Sequence, residues 1–250
     1  MNDHDLRQAM QATLDGSRSG HALLRLFLDH AGWHVPAARD EDGQIALLRL
    51  KDGAGQRYLF LCTDRQAYAD CLATVGAEAL GAHFITTAGD ALFANLPDEV
   101  DVIRVNAYSP PELRYRGDQI PALRQWARAV KVERTLATPQ PDLGLVKRFD
   151  AFYVVLQRLE GEGRALTLAP DKRGRKLAAV FTAPDALDAF LRDQGDGGLK
   201  FEPVTVKTPG HILFDDLQHL PIDGIVFNCA GPVAPRLFVA GFAKAVMAAS

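Results

Sequence analysis

The sequence predicts an α/β (α+β) fold built as two tandem repeats of a mixed β-sheet unit with helices packed on it. Three observations predict it. Segments with apolar residues three or four apart alternate with short extended runs bounded by Gly, Pro, Asn and Asp. The second half, slid against the first so that Thr63 meets Thr182 (182 − 63 = 119), aligns without a gap from Val35/Val154 to Leu72/Leu191. Ten of those 38 positions are identical, namely Val35, Arg39, Glu41, Ala46, Leu47, Asp52, Gly55, Thr63, Ala67 and Leu72, where ordinary composition gives about two or three. Between the halves, Thr138-Pro139-Gln140-Pro141 is a stiff connector, because proline restricts its own dihedrals and those of the residue before it. The domain reading is an N-terminal helix at 1–20, a first repeat at 21–137, a connector at 138–144 and a second repeat at 145–250.

Leu6, Met10 and Leu14 fall four apart before Gly16, and Leu23, Leu26, Phe27 and His30 share a face before Gly32, so two amphipathic helices open the chain. Trp33-His34-Val35-Pro36 reads extended, Asp40-Glu41-Asp42-Gly43 is a turn, and Ile45 to Leu50 is one strand. Lys51-Asp52-Gly53-Ala54-Gly55 turns the chain into Tyr58-Leu59-Phe60-Leu61-Cys62, which completes an antiparallel meander. Thr63, three before Gln66, predicts a capping box for the next helix, with Thr182 in the corresponding place of the second repeat. Those helices carry Ala67, Cys71 and Leu72, or Ala186, Phe190 and Leu191, inward and end near Gly76 or Gly195.

Beyond this helix the register slips to pair Gly89 with Gly210 (210 − 89 = 121). His83 to Thr86 and Pro203 to Val206 are strands, and Thr208-Pro209 predicts an N-cap followed by a first-turn proline. A further slip pairs Asn106 with Asn228 (228 − 106 = 122) at the ends of Val102-Ile103-Arg104-Val105 and Gly224-Ile225-Val226-Phe227. Each repeat then passes through a proline-containing turn into a last helix, bearing Ile120, Leu123, Ala127 and Val130, or Phe238, Phe242, Ala245 and Val246.

Ala179-Val180-Phe181-Thr182-Ala183-Pro184-Asp185-Ala186-Leu187 resembles the SseB family, the enhanced serine sensitivity proteins, in which a strand ends in Phe-Thr before a helix. Phe152-Tyr153-Val154-Val155 is similar to that family's opening strand, and Phe227-Asn228-Cys229-Ala230-Gly231-Pro232 to its Asn-Pro turn. The resemblance covers about 145–250 closely and 22–133 more loosely, where Leu61-Cys62-Thr63 and Asn106-Ala107-Tyr108-Ser109-Pro110 stand in for the two motifs. It implies an SseB-like fold and no settled catalytic activity.

With 28 basic and 31 acidic residues in 250, a formal charge of −3 and 48% hydrophobic residues, the chain is an ordinary globular protein without a broad field for nucleic acid or anionic membranes. Neither a secretory signal nor a membrane-length apolar run is read, and Cys62, Cys71 and Cys229 form no CxxC pair, so a cytoplasmic location is expected.

Asn106 and Asn228 are the candidate partner or ligand contacts, since each lies where a strand meets a loop, a common place for ligands in α/β sheets. The alternative is that each amide bonds its own turn backbone. His30 and His34 are four apart, but Gly32 and Trp33 interrupt the helix that would align them, and no metal site is assigned. Lys172, Arg173, Arg175 and Lys176 read as a solvated hairpin turn. Cys62 precedes a helix start, yet Phe181 replaces it in the second repeat, which indicates packing rather than nucleophilic use. No GxSxG elbow is present, and Gly195-Asp196-Gly197-Gly198 lacks the Lys-Ser/Thr of a phosphate loop. No catalytic residue and no cofactor is assigned. The expected function is a non-enzymatic protein-interaction or regulatory module whose partner is another protein; the alternative is a small-molecule sensor or enzyme with a cleft at the seam between repeats.

Overall fold

The computed structural model describes residues 3–39, 45–80, 83–158, 164–169, 171–198, 203–239 and 241–250. The chain divides into two compact units, 1–127 and 128–250. In the first, α1 (Asp3–Leu14) and α2 (Gly20–Asp29) precede β1 (Trp33–Arg39), β2 (Ile45–Leu47), β3 (Arg49–Lys51) and β4 (Arg57–Leu61). Then come α3 (Arg65–Val75), α4 (Ala77–Leu80), β5 (Phe84–Thr87), α5 (Gly89–Ala94), β6 (Val102–Val105) and β7 (Leu113–Arg116). Helix α6 (Ile120–Leu136) contains the division between the units. The second unit continues with α7 (Leu143–Arg148), β8 (Phe152–Arg158), β9 (Arg164–Leu166), β10 (Leu168–Ala169) and β11 (Leu177–Phe181). It ends with α8 (Pro184–Gly198), β12 (Pro203–Thr208), α9 (Gly210–Leu217), β13 (Gly224–Phe227), β14 (Arg236–Val239) and α10 (Phe242–Ala248).

The α/β content is as expected, with both parallel and antiparallel pairs in the sheets. In the second unit the strands run β12-β8-β11-β13-β14, with β11 and β13 parallel. In the first, β1 joins β5 on one side and meets β4 through a bridge between His34 and Cys62; β4 then pairs with β6 in parallel, and β6 with β7. The order is thus β5-β1-β4-β6-β7.

Several local expectations are corrected. The strand expected over Ile45 to Leu50 breaks at Leu48, whose N–H turns to Pro36 O, so that β2 pairs with β1 and β3 with β4. Thr63 does not cap α3: Asp64 does, accepting from Ala67 N–H at 2.8 Å, while Gln66 bonds Asp70 instead. Thr208 closes β12, and Pro209 occupies the N-cap of α9 without a side-chain bond. Phe238 lies on β14 rather than in the last helix, and β7 and β14 are edge strands where only a turn was expected. Helix α8 also continues through Gly195, whereas Gly76 does end α3, at φ 91°. Leu14 is exposed at the end of α1, in contrast to Leu6 and Met10. The turn expected at 40–43 lies outside the described residues.

Each unit has apolar side chains on both faces of its sheet. Phe27, Trp33 and Phe93 pack edge-on or stacked within 6.0 Å in the first unit, and Phe152, Phe214, Phe227 and Phe242 form a comparable group in the second. Close backbone approach requires glycine at the start of α5 and α9: a Cβ on Gly89 would lie 1.9 Å from Phe27 O, and one on Gly210 would lie 2.5 Å from Val146 O. Both glycines donate N–H at 2.7 Å, to His30 O and Phe149 O respectively.

Candidate functional site

The carboxyl ends of the parallel strands β4/β6 and β11/β13 are where an open α/β sheet most often takes a ligand. Here both ends are filled from within. Asn106 and Asn228, 0% and 3% exposed, adopt left-handed φ of 53° and 50°, a region that Asn tolerates better than most residues. Each N–H donates to the end of the neighbouring strand, at Leu61 O or Val180 O, both at 2.9 Å. Asn106 Oδ1 accepts from Thr63 N–H at 2.8 Å, and its Nδ2 donates to Thr63 Oγ1 at 2.9 Å. Asn228 repeats this with Thr182, at 3.0 and 2.9 Å. The threonines therefore clip adjacent strand ends together.

A carboxylate completes each clip. In the first unit the Thr63 hydroxyl donates to Asp64 Oδ2 at 3.0 Å, while Asn106 Nδ2 also faces Met10 Sδ of α1 at 3.7 Å. In the second, Glu133 on α6 accepts from Thr182 Oγ1 at 2.6 Å and from Asn228 Nδ2 at 3.1 Å. The helix leading into each unit thus plugs the crevice at the strand ends. Both amides are used internally and neither presents itself to solvent.

Around this buried clip the first unit carries two partly buried polar assemblies. Arg7 donates from Nε and Nη2 to Asp64 at 2.8 and 2.9 Å and from Nη1 to Ser109 Oγ and Pro110 O, while Ser109 Oγ donates to Asp70 at 2.6 Å. Burial pushes the Asp64 carboxyl up, but the Arg7 bonds, Ala67 N–H and Thr63 outweigh it and hold Asp64 at about 2. His4, Arg7, His34, Asp64, Arg65 and Gln66 border an open groove of about 580 Å³ beside it.

The second assembly is the loop after Asn106. Tyr108 stands at φ 66° with 44% of its surface exposed, its ring 4.4 Å from the Arg104 guanidinium carbon. Arg104 is in turn 5.6 Å from the Phe60 ring and donates twice to Glu112 at 2.8 Å. Burial raises the Glu112 carboxyl, and bonds from Arg104, Arg114 and Tyr108 N–H overcome that and bring it to about 2. A non-glycine residue held at positive φ costs about 1–2 kcal/mol, so Tyr108 is kept where it is by its surroundings. No sequence motif marks Tyr108: its display depends on Arg104, which the parallel register of β4 and β6 sets beside Phe60.

The remaining candidates resolve into structure. His30 donates Nε2–H to Thr63 O and His34 donates Nδ1–H to Gly32 O, so the two rings serve different carbonyls. No group of three His, Cys, Asp or Glu side chains suited to a metal occurs among the described residues. Cys62 and Cys71 are buried where the second unit packs Phe181 on Phe190 at 5.0 Å (181 − 62 = 190 − 71 = 119). A hydrogen bond to Cys71 and burial push the Cys62 thiol up, which opposes thiolate formation. Arg175 is bound to Asp171 at 2.9 Å in the basic turn. No helix among the described residues is long and apolar enough to cross a membrane. No family model, curated protein or solved structure matches the chain.

Proposed function

We propose that the chain is a non-enzymatic protein-interaction module of two SseB-like units, in a reducing, cytoplasmic setting that suits its free Cys62, Cys71 and Cys229. One observation carries the reading. The crevice at the strand ends, where chemistry would be expected, is closed in both units, whereas Tyr108 is displayed on a fixed platform of Arg104, Glu112 and Phe60. A rigid, half-exposed aromatic is the kind of anchor that dominates protein interfaces, because little side-chain freedom is lost on docking. The SseB-like assignment rests on Phe181-Thr182 ending β11 and Asn228 closing β13; the shared strand order and the paired Thr–Asn clips support descent from one doubled unit.

Affinity capture with the purified chain, wild type against Tyr108→Ala, tests the interaction reading. A partner retained by wild type and reduced at least about tenfold by the variant is expected, as for an interface anchor. No reproducible partner, or equal retention by both forms, contradicts it. A small-molecule sensor is the second reading, favoured by the open groove beside Arg65 and His34. A thermal-shift screen of metabolites separates the two, since a ligand at a hundred times its Kd stabilises by about 2.7 kcal/mol.

A further inference from the structure

The two edge strands β7 and β14 occupy the same place in their sheets and differ in chemistry. On β7 the exposed positions are Arg114 and Arg116, each paired with a nearby acid, Glu112 at 2.7 Å and Asp118 at 3.0 Å. On β14 the corresponding positions are Leu237 and Val239 (237 − 114 = 239 − 116 = 123), 42% and 68% exposed. Charged side chains on an edge oppose pairing with another strand; an apolar edge invites it.

The free backbone of β14 can be located. Asn228 N–H donates to Val180 O, so the alternation along β13 turns Val226 toward β11 and leaves Ile225 and Phe227 for β14. Their partners there are Phe238 and Arg236. Leu237 and Val239 consequently direct N–H and C=O outward, and β14 has no second strand neighbour among the described residues.

We propose that β14 pairs antiparallel with β14 of a second copy of this chain, about a twofold axis through Phe238 and perpendicular to the sheet. In that register Leu237 lies opposite the copy's Val239, and Val239 opposite the copy's Leu237. Each is a hydrogen-bonded pair, which uses the outward backbone groups on both sides, and the four aliphatic side chains form one stripe on one face. The strand's only charge, Arg236, falls outside the three paired positions. The same operation on β7, centred on Tyr115, would set Arg114 against the copy's Arg116, a like-charge pair. The self-complementary edge therefore belongs to β14 and not to β7. This inference is independent of Tyr108, which lies in the other unit.

Sedimentation velocity on the full chain from about 1 µM to about 1 mM is the first measurement, since a short strand pair gives a concentration-dependent dimer in this range. The wild type is expected to shift from monomer to dimer, and Leu237→Lys with Val239→Lys to raise the dimer Kd at least about tenfold. Both positions are exposed, and unchanged circular dichroism will verify that the variant is folded. The register has its own test: L237C mixed with V239C should cross-link on mild oxidation, and L237C alone should not, with the wild type controlling for the native thiols. A chain that stays monomeric throughout, a dimer indifferent to the lysines, or cross-linking of L237C alone overturns the proposal.

Discussion

Asn106 and Asn228 each perform two tasks that few side chains combine: they accept a left-handed φ and they satisfy a buried Thr N–H and hydroxyl. The two tasks can be separated. Asn106→Gly keeps the backbone conformation and forfeits the bonds, so it should cost about 2–3 kcal/mol in urea denaturation. Asn106→Ala adds the positive-φ penalty and should cost about 1 kcal/mol more; equal losses would show that φ does not matter there. Asp64 makes a pH prediction. Folding lowers its carboxyl from 3.8 to about 2, so its contribution is present above about pH 4 and is lost as pH falls through 2. Allowing for the partial exposure of Arg7, about 1–2 kcal/mol is at stake. Arg7→Ala should raise the Asp64 pKa in an NMR titration and move acid unfolding to higher pH.

Helices α5 and α9 are held against the chain by a contact that tolerates no side chain. Gly89→Ala and Gly210→Ala drive a methyl into a backbone carbonyl, and each should lose about 3 kcal/mol or more. Gly53→Ala, with nothing within 4 Å, serves as the neutral control in the same denaturation series. The strands show the opposite balance. Buried ones such as Leu177–Phe181 were readable as apolar runs. The edge strands β7 and β14 were not: β7 alternates apolar and charged over only four residues, Phe238 of β14 lies four before Phe242 at a helical spacing, and both strands sit beside prolines that read as turn.

For the whole molecule, α6 matters most. Its first half buries Ile120, Leu123, Trp126 and Ala127, and its second half delivers Glu133 to Thr182 and Asn228. A fragment starting at residue 138, where the prolines suggest a cut, loses Glu133 together with the buried Val130, Val132 and Leu136. It should therefore unfold more readily than a fragment starting at 118, by about 3 kcal/mol or more, or not fold at all. Equal thermal transitions for the two fragments would contradict this account of α6.

Periodicity, turn residues and registers of 119, 121 and 122 residues were enough to read the α/β class, the paired glycines at 89 and 210, and the two asparagines as matching positions, but not the break at Leu48 that divides the expected middle strand of the meander. These are legible because 3.6- and 2-residue periods and backbone constraints are local properties of the chain. What Thr63, Thr182, Asn106 and Asn228 bind was decided only in three dimensions, by Met10, Asp64 and Glu133 arriving from other elements. The threonines look like caps in one dimension because capping is the local use of a hydroxyl before a helix. Parallel strand pairing brings the asparagine amide within reach, and a buried amide must be satisfied by whichever groups the tertiary fold places beside it.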